Sequence, residues 1–326
     1  MSLPQVSLGV PVYNGEKYLA EALESLVQQD YGDFEIIISD NASTDGTEEI
    51  SRNFAGRDKR IRYYRNETNI GASPNYNRTF ELARGRFFKW CAHDDRCLPG
   101  FLSRCVGRME AAPPSVALVY PWCDVIDENG AFLQRAPDRM ENRSPHSFRR
   151  LAYVVGTVGW AYALWGLVRS EHLRRTRLMA EGAQNDYVLL AELAMCGQFL
   201  EVPELLFQLR FHRGNAWALA SADQGTTAWH QNSKANRKSR EKLLAWTDPR
   251  LANKRLWLPF QEDLLLRYLK GVHHVSLPAT QKLLCYMTAP SVFYWRRFRN
   301  FGGLCKRRLK ACFTTAGASN HKEETV

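Results

Sequence analysis

The chain has 326 residues, 45% hydrophobic and 24% charged, so it has the composition of a soluble globular protein long enough for one large domain or two. Its 44 Lys and Arg against 34 Asp and Glu give a net charge of +10, which favours phosphorylated ligands, polyanions or anionic membrane surfaces without choosing among them. Eight cysteines include no C-x-x-C pair, which argues against a zinc ribbon; with no secretory signal before Val6, reduced thiols in a cytoplasmic protein are expected.

In chain order, Gln5 to Val12 alternates and predicts a first strand, with Pro11-Val12-Tyr13-Asn14-Gly15 as its exit loop. Glu16 to Gln29 sets Leu19, Leu23, Leu26 and Val27 on one helical face. Phe34 to Ser39 predicts the second strand, and Asp45 with Glu48 suits the start of a helix. A short strand at Ile61 to Arg65, a helix at Pro74 to Ala83, a strand at Phe87 to Ala92 and a helix at Gly100 to Ala112 follow. Val116 to Tyr120 is a further strand. Strands alternating with helices in this way predict an α/β fold with a mostly parallel, Rossmann-like sheet flanked by helices.

Beyond Asp124 the pattern loosens. Asp127 to Gly130 reads as a turn and Arg135 to Ser147 as a polar loop. Leu151 to Val168 has no charged residue, but its glycines and tyrosines make its apolarity patchy, so a buried strand with a glycine-containing loop is expected there and not a membrane span. Ser170 is expected to cap a helix to about Arg177, Asp186 to Cys196 to be helical, and Leu205 to His212 to be a last strand. From about Ser221 helices take over. The domain reading is a catalytic unit over 1–220, with nucleotide binding in 1–124 and the acceptor side in 125–220. A helical region over 221–313 and a disordered tail over 314–326 complete it.

Two acidic clusters stand just past strand ends, where open α/β sheets bind ligands. One is Asp40 with Asp45; the other is His93-Asp94-Asp95 after the aromatic run Phe87, Phe88, Trp90. Hard carboxylate ligands suit Mg²⁺ or Mn²⁺, which commonly bridge to phosphate. Taken singly, each has a plainer reading: Asp94-Asp95 as a strand stop and helix cap, Asp40 as a turn residue, Asp186 as a helix-start residue favoured by the dipole.

Together these pieces resemble a family 2 glycosyltransferase of the GT-A, nucleotide-sugar-binding fold, over roughly Val6 to Asn215. Pro11-Val12-Tyr13-Asn14 is similar to the first-strand motif, and D-N-A-S-T-D-G-T from Asp40 is close to the family's D-D-G-S-T-D-G-T. Asn69-Ile70-Gly71, Asn77 and Ala83-Arg84-Gly85 resemble the segment before the metal motif. His93-Asp94-Asp95 stands at the D-x-D position, and Gln184-Asn185-Asp186 where the catalytic acid belongs. The resemblance implies inverting transfer of a sugar from a nucleotide-diphosphate donor to an acceptor hydroxyl. It assigns Pro11, Val12, Tyr13, Asn14, Asp40, Asn69 and Asp94 to the donor, with Asp40 on the base, Asp94 and Asp95 to Mg²⁺ or Mn²⁺, and Asp186 to the acceptor proton.

The chain departs from that pattern in three places. Ala92 replaces the first acid of D-x-D. Tyr76 stands where many relatives carry Arg, leaving Arg78, Lys89 or Arg96 as substitutes for a diphosphate contact. Asn185 leaves Asp186 as the single acid at its site. A glycan, free or lipid-linked, is the implied acceptor, and cell-surface glycan or polysaccharide synthesis the implied setting. A catalytically silent glycan- or partner-binding protein is the alternative that Ala92 keeps open. At the C-terminus, aromatics interleave with cations over 293–310, as in a helix lying peripherally on the cytoplasmic face of a membrane or one docked with a solvated basic face. No nucleic-acid-binding module accompanies the charge, so no nucleic acid is expected.

Overall fold

The structure, a computed structural model, describes residues 3–182, 184–212, 244–251 and 260–316, without side chains for 251, 260 and 300–316. The elements in chain order are β1 (Val6–Val12), α1 (Leu19–Val27), β2 (Phe34–Asp40), α2 (Thr47–Arg57), β3 (Ile61–Arg65), α3 (Ala72–Glu81), β4 (Phe87–Trp90), β5 (Arg96–Cys97), α4 (Phe101–Glu110), β6 (Val116–Ile126) and β7 (Phe132–Arg135). Then come α5 (Ser147–Thr157), a 3₁₀ turn (Tyr162–Trp165), β8 (Leu167–Arg169), α6 (Ser170–Leu173), α7 (Asn185–Cys196), β9 (Gln198–Arg210), a helical turn at 244–247, α8 (Phe260–His274) and α9 (Ala279–Ala316).

One sheet of nine strands runs β3-β2-β1-β4-β8-β6-β9-β5, with β7 beside β6. Its first four strands are parallel, as the alternation predicts. β1 and β2 are buried along their whole length because helices cover both faces, which is why they read as nearly continuous apolar runs. The other half is mixed: β8 is antiparallel to both β4 and β6, while β6 and β9 are parallel. β1, β2 and β4 finish side by side, with Val12 opposite Asp40 and Gly9 opposite Trp90, so their exit loops share one edge.

Three expectations fail. Leu151 is in α5 and not a strand, because Leu151, Val154, Val155 and Val158 are buried at helical spacing against the core. Only at the end of that stretch does a strand form, Leu167–Arg169; Tyr162–Trp165 before it is a 3₁₀ turn. Ser170 does not cap its helix, which is one turn long; its hydroxyl donates instead to the Gly85 carbonyl at 2.7 Å. β6 and β9 are both longer than expected, since each continues through polar residues that the other's backbone pairs. At the C-terminus α8 packs on α7 and α9 on α5, and helix extends to Ala316, past the expected tail boundary at 314. The rest of that tail lies outside the described residues.

Candidate active site

A cavity of about 770 Å³ opens at the ends of β1, β2 and β4. Pro11, Val12, Tyr13, Asn14 and Asn69 line one side of it, and Asp94, Asp95 and Asp186 line it as well, so segments distant in sequence converge on one space.

The His93–Asp95 loop is held at both ends. The Cys91 N–H donates to the Gly9 carbonyl at 2.8 Å, and β5 pairs Arg96 and Cys97 with Gln208 and Phe207 of β9. Arg210, buried at the end of β9, clamps the middle: its N–H donates to Asp95 Oδ1 at 2.8 Å and its Nε to the Asp94 carbonyl at 2.9 Å. Its Nη2 reaches Glu21 Oε2 at 2.6 Å and its Nη1 the Glu128 carbonyl at 3.1 Å. Asp94 Oδ2 lies 2.9 Å from His212 Nε2. Burial opposes a charge on Asp94, but the neighbouring His93 and the His212 hydrogen bond hold its carboxyl below its usual range. Burial and the Asp94 charge push Asp95 well above that range, so the two neighbouring carboxyls are tuned in opposite directions. Arg210→Leu is expected to lower stability by ~1–3 kcal/mol, because it leaves the Asp94 and Glu128 carbonyls without their donor while the backbone N–H still reaches Asp95; urea unfolding measures this.

Asp186 begins α7. The preceding Asn185 donates from Nδ2 to Ser73 Oγ at 2.7 Å, tying the start of α7 to the start of α3. Asp186 Oδ1 accepts the Tyr187 N–H at 2.9 Å. Burial raises its pKa to about 6, against the smaller opposing pulls of that N–H and of Arg267. It keeps part of its surface open to the cavity. A carboxylate poised near neutrality is suited to taking a proton from a hydroxyl.

Asp40 behaves differently from expectation. It is fully buried behind the cavity wall: Oδ1 accepts the Ser43 N–H at 2.9 Å, while Oδ2 takes the Tyr63 hydroxyl at 2.8 Å and Arg65 at 2.6 Å. With its acceptor sites engaged by the protein, it braces the loop, and Asn41 lines the cavity in its place. Asn14 is also committed, its Oδ1 accepting the Thr44 N–H at 2.8 Å. Asn14 (φ 50°), Ala42 (φ 60°) and Gln184 (φ 57°) all adopt left-handed backbone around the site, as strained residues do where a fold holds a binding loop.

The expected cation substitutes do not reach the cavity. Lys89 is fully buried and donates to the Trp90 and Trp165 carbonyls, Arg96 pairs with Glu21, and Arg78 lines a separate cavity of about 390 Å³. Lys17, His93 and His212 line the main one instead. Lys17 and Trp246 were missed by sequence reasoning. Trp246 belongs to the turn at 244–247, which sits against Gly71: a Cβ there would come within 2.6 Å of Pro249 Cδ and 2.9 Å of the Thr247 carbonyl oxygen, at φ +91°. Gly71→Ala is therefore expected to cost ~1–3 kcal/mol and to loosen this wall, read as a lower Tm in thermal denaturation.

The resident-metal question turns on the donor set. Among the described residues no cluster of three His, Cys, Asp or Glu forms a protein-only cage. The Asp94 carboxylate, with Asp95 and His212 adjacent on the cavity, is a hard donor set that would suit a divalent ion such as Mg²⁺ or Mn²⁺.

The parallel β-α-β half, the mixed second half and the acid-lined cavity at the strand ends are the features of a GT-A fold. Residues 7–165 match the family model described as glycosyl transferase family 2. The curated relatives matched first are uncharacterized glycosyltransferases from Methanocaldococcus jannaschii and Rickettsia species, 31–37% identical over 125–136 residues; the chain spans less than half the length of each. The putative colanic acid biosynthesis glycosyl transferase WcaA of Escherichia coli is 27% identical over 227 residues, 70% of this chain and 80% of that one. Among solved structures, S. aureus TarS 1–349 in complex with UDP-GlcNAc aligns with a TM-score of 0.53 at 16% identity, over 92% of each chain. Mannosyltransferase PcManGT from Pyrobaculum calidifontis, in complex with GDP-Man and Mn²⁺, aligns with a TM-score of 0.52 at 16% identity, over 99% of this chain and 82% of that one. At such identity the structures establish the shared fold.

Proposed function

We propose that the protein is an inverting glycosyltransferase that moves a sugar from a nucleotide-diphosphate donor to a glycan hydroxyl. The observation that carries this reading is that Asp94 and Asp186, 92 positions apart in sequence, face the same cavity with opposite electrostatic tuning. The donor's base lies against Pro11, Val12 and Tyr13, with the Asn41 and Asn69 amides beside it. Asn41 Nδ2 donates to Asn69 Oδ1 at 2.9 Å, so the two amides are held as a pair. Asp40 supports this wall from behind through Ser43.

Asp94, with Asp95, would hold Mg²⁺ or Mn²⁺, which when bound neutralises charge on the departing diphosphate. Lys17, on the same cavity, adds positive charge near that anion, and the His93 ring lines it beside Asp94. Asp186 accepts the acceptor's hydroxyl proton as its oxygen bonds to the sugar's anomeric carbon. The bond from that carbon to the diphosphate oxygen breaks on the opposite side, and a nucleoside diphosphate leaves. A single base and a direct displacement give inversion.

The acceptor is a growing glycan, in keeping with the relative named for colanic acid synthesis. Cys91, Cys97, Cys105, Cys123, Cys196 and Cys285 are free thiols and are buried, which suits a reducing compartment such as the cytoplasm. UDP is the first donor nucleotide to examine. Thermal-shift measurements with UDP, GDP and dTDP, each with and without Mn²⁺, test the reading. A Tm rise of several degrees with one nucleotide, larger when Mn²⁺ is present, is expected. No shift with any of them would overturn it.

A further inference from the structure

The helix α9 is 38 residues long, about 57 Å at 1.5 Å per residue, and has two contrasting faces. Cys285, Ala289 and Phe293 are buried at four-residue spacing, and Phe293 meets Tyr268 of α8 edge-on at 6.4 Å. Arg296 donates to the Val155 and Val158 carbonyls at the end of α5, and Arg297 reaches Glu262 of α8 at 2.6 Å. These contacts fix how the helix is rotated on the domain.

The opposite face is apolar and open. Leu283 is 61% exposed, Met287 63%, Tyr294 49%, Trp295 56% and Phe298 78%. At 100° per residue these five positions form one stripe along the helix. Over the same 38 residues the sequence holds eight Lys and Arg and no Asp or Glu. Arg299 lies over the Trp295 ring at 4.7 Å. A helix with only a solvated basic face would not place Trp, Tyr, Phe and Met outward together, since exposed apolar residues in contiguous array mark an interaction surface. No helix among the described residues is long and apolar enough to cross a membrane.

We propose that this stripe docks the protein on an anionic lipid surface, with the aromatics in the headgroup region and the helix lying in the membrane plane. Trp and Tyr favour that region, an apolar stripe supplies the buried area, and cations with no acid among them match anionic headgroups. Docking would bring the cavity to acceptors carried on lipid, a consequence that rests on the glycosyltransferase reading; the docking itself does not.

Co-sedimentation of the full chain with phosphatidylcholine vesicles, and with vesicles containing phosphatidylglycerol, tests this. The wild-type chain is expected to pellet with the anionic vesicles and not with the neutral ones, and to release at high salt. The outward substitutions W295E and F298E together should weaken binding roughly ten-fold or more while leaving circular dichroism and Tm unchanged. L283E with M287E, a turn or more away on the same stripe, serves as the second variant should the first fail to fold. A wild-type chain that stays in the supernatant with anionic vesicles overturns the proposal, as does a folded variant that pellets equally well. A wild-type dimer that the variant converts to monomer, with no vesicle binding by either, overturns it in favour of a second copy of the chain. D186N should pellet like the wild type, so loss of transfer and loss of docking are read separately.

Discussion

Asp186→Asn is expected to lower kcat by ~10²–10⁴, the range a positioned general base contributes, with a much smaller effect on donor KM. Asn keeps the shape and still offers an oxygen to the Tyr187 N–H, so the N-terminal turn of α7 should survive. What is lost is the ability to take a proton. The pH profile carries the sharper signature. Because burial lifts Asp186 to about 6, the wild-type kcat/KM should fall tenfold per unit below that pH, and the residual activity of the variant should lack this limb. Stability should move the opposite way. A carboxyl with a raised folded pKa gives its contribution in full below its ordinary value near 3.8, and that contribution is lost as pH rises through about 6. At pH 7.5 the wild-type protein therefore carries a penalty of at most ~3 kcal/mol, at ~1.4 kcal/mol per unit, reduced because the carboxyl partly meets solvent in the cavity. The variant should consequently melt higher than the wild type at pH 7.5, and the gap should close near pH 4. A slower enzyme that is more stable above pH 6 is the outcome a functional carboxyl predicts; a variant less stable at every pH would mark Asp186 as a structural residue.

The sequence carried the parallel half of the fold because its strands are short apolar runs separated by helices with clear apolar faces. It carried Asp94 because the strand before it has a legible end, and Asp186 because the helix it stands in has a legible start. It misled at Asp40. That residue matches the motif, yet Tyr63 and Arg65 on β3 reach across and occupy it, a contact set by the pairing of β2 with β3 and by nothing in the D-N-A-S-T-D-G-T string itself. Lys89 misled in the same way: a lysine beside a strand end looks available, but it is directed into the core between the Phe101 and Phe207 rings. Leu151 to Val158 was readable as a helix from its spacing, and the glycines around it obscured the period. The Arg210 clamp, His212 against Asp94, and Trp246 on the rim come from segments more than 100 residues after the loop they complete. No local pattern announces such partners, and the long β6–β9 pairing that delivers Arg210 rests on registers that shift along the strands.

Asp94→Ala is expected to lower kcat/KM by ~10³ or more, the scale of losing several kcal/mol of charge stabilisation on a leaving diphosphate. Of the two acids in the loop, Asp94 is the one whose carboxyl is held below its usual range, and His212 meets one of its oxygens, Oδ2. Asp95 is pushed toward its neutral form and spends an oxygen on the Arg210 N–H. Asp95→Asn keeps that acceptor and its shape, so it should cost far less than Asp94→Ala; equal losses would show that the pair acts as one metal-binding unit. The measurement that separates a metal ligand from a loop brace is nucleotide binding with and without Mn²⁺. In the wild-type protein Mn²⁺ should strengthen nucleoside diphosphate binding, and in Asp94→Ala this enhancement should vanish while metal-free binding is retained, because Pro11, Tyr13, Asn41 and Asn69 on the base side are untouched. If metal-free binding disappears as well, His212 has swung away and taken the wall with it, and Asp94 is a brace. His212→Gln provides the complementary reading. It alters the partner of the second Asp94 oxygen without removing the carboxylate, so the Mn²⁺ enhancement should persist, with Arg210 still holding the loop to the end of β9.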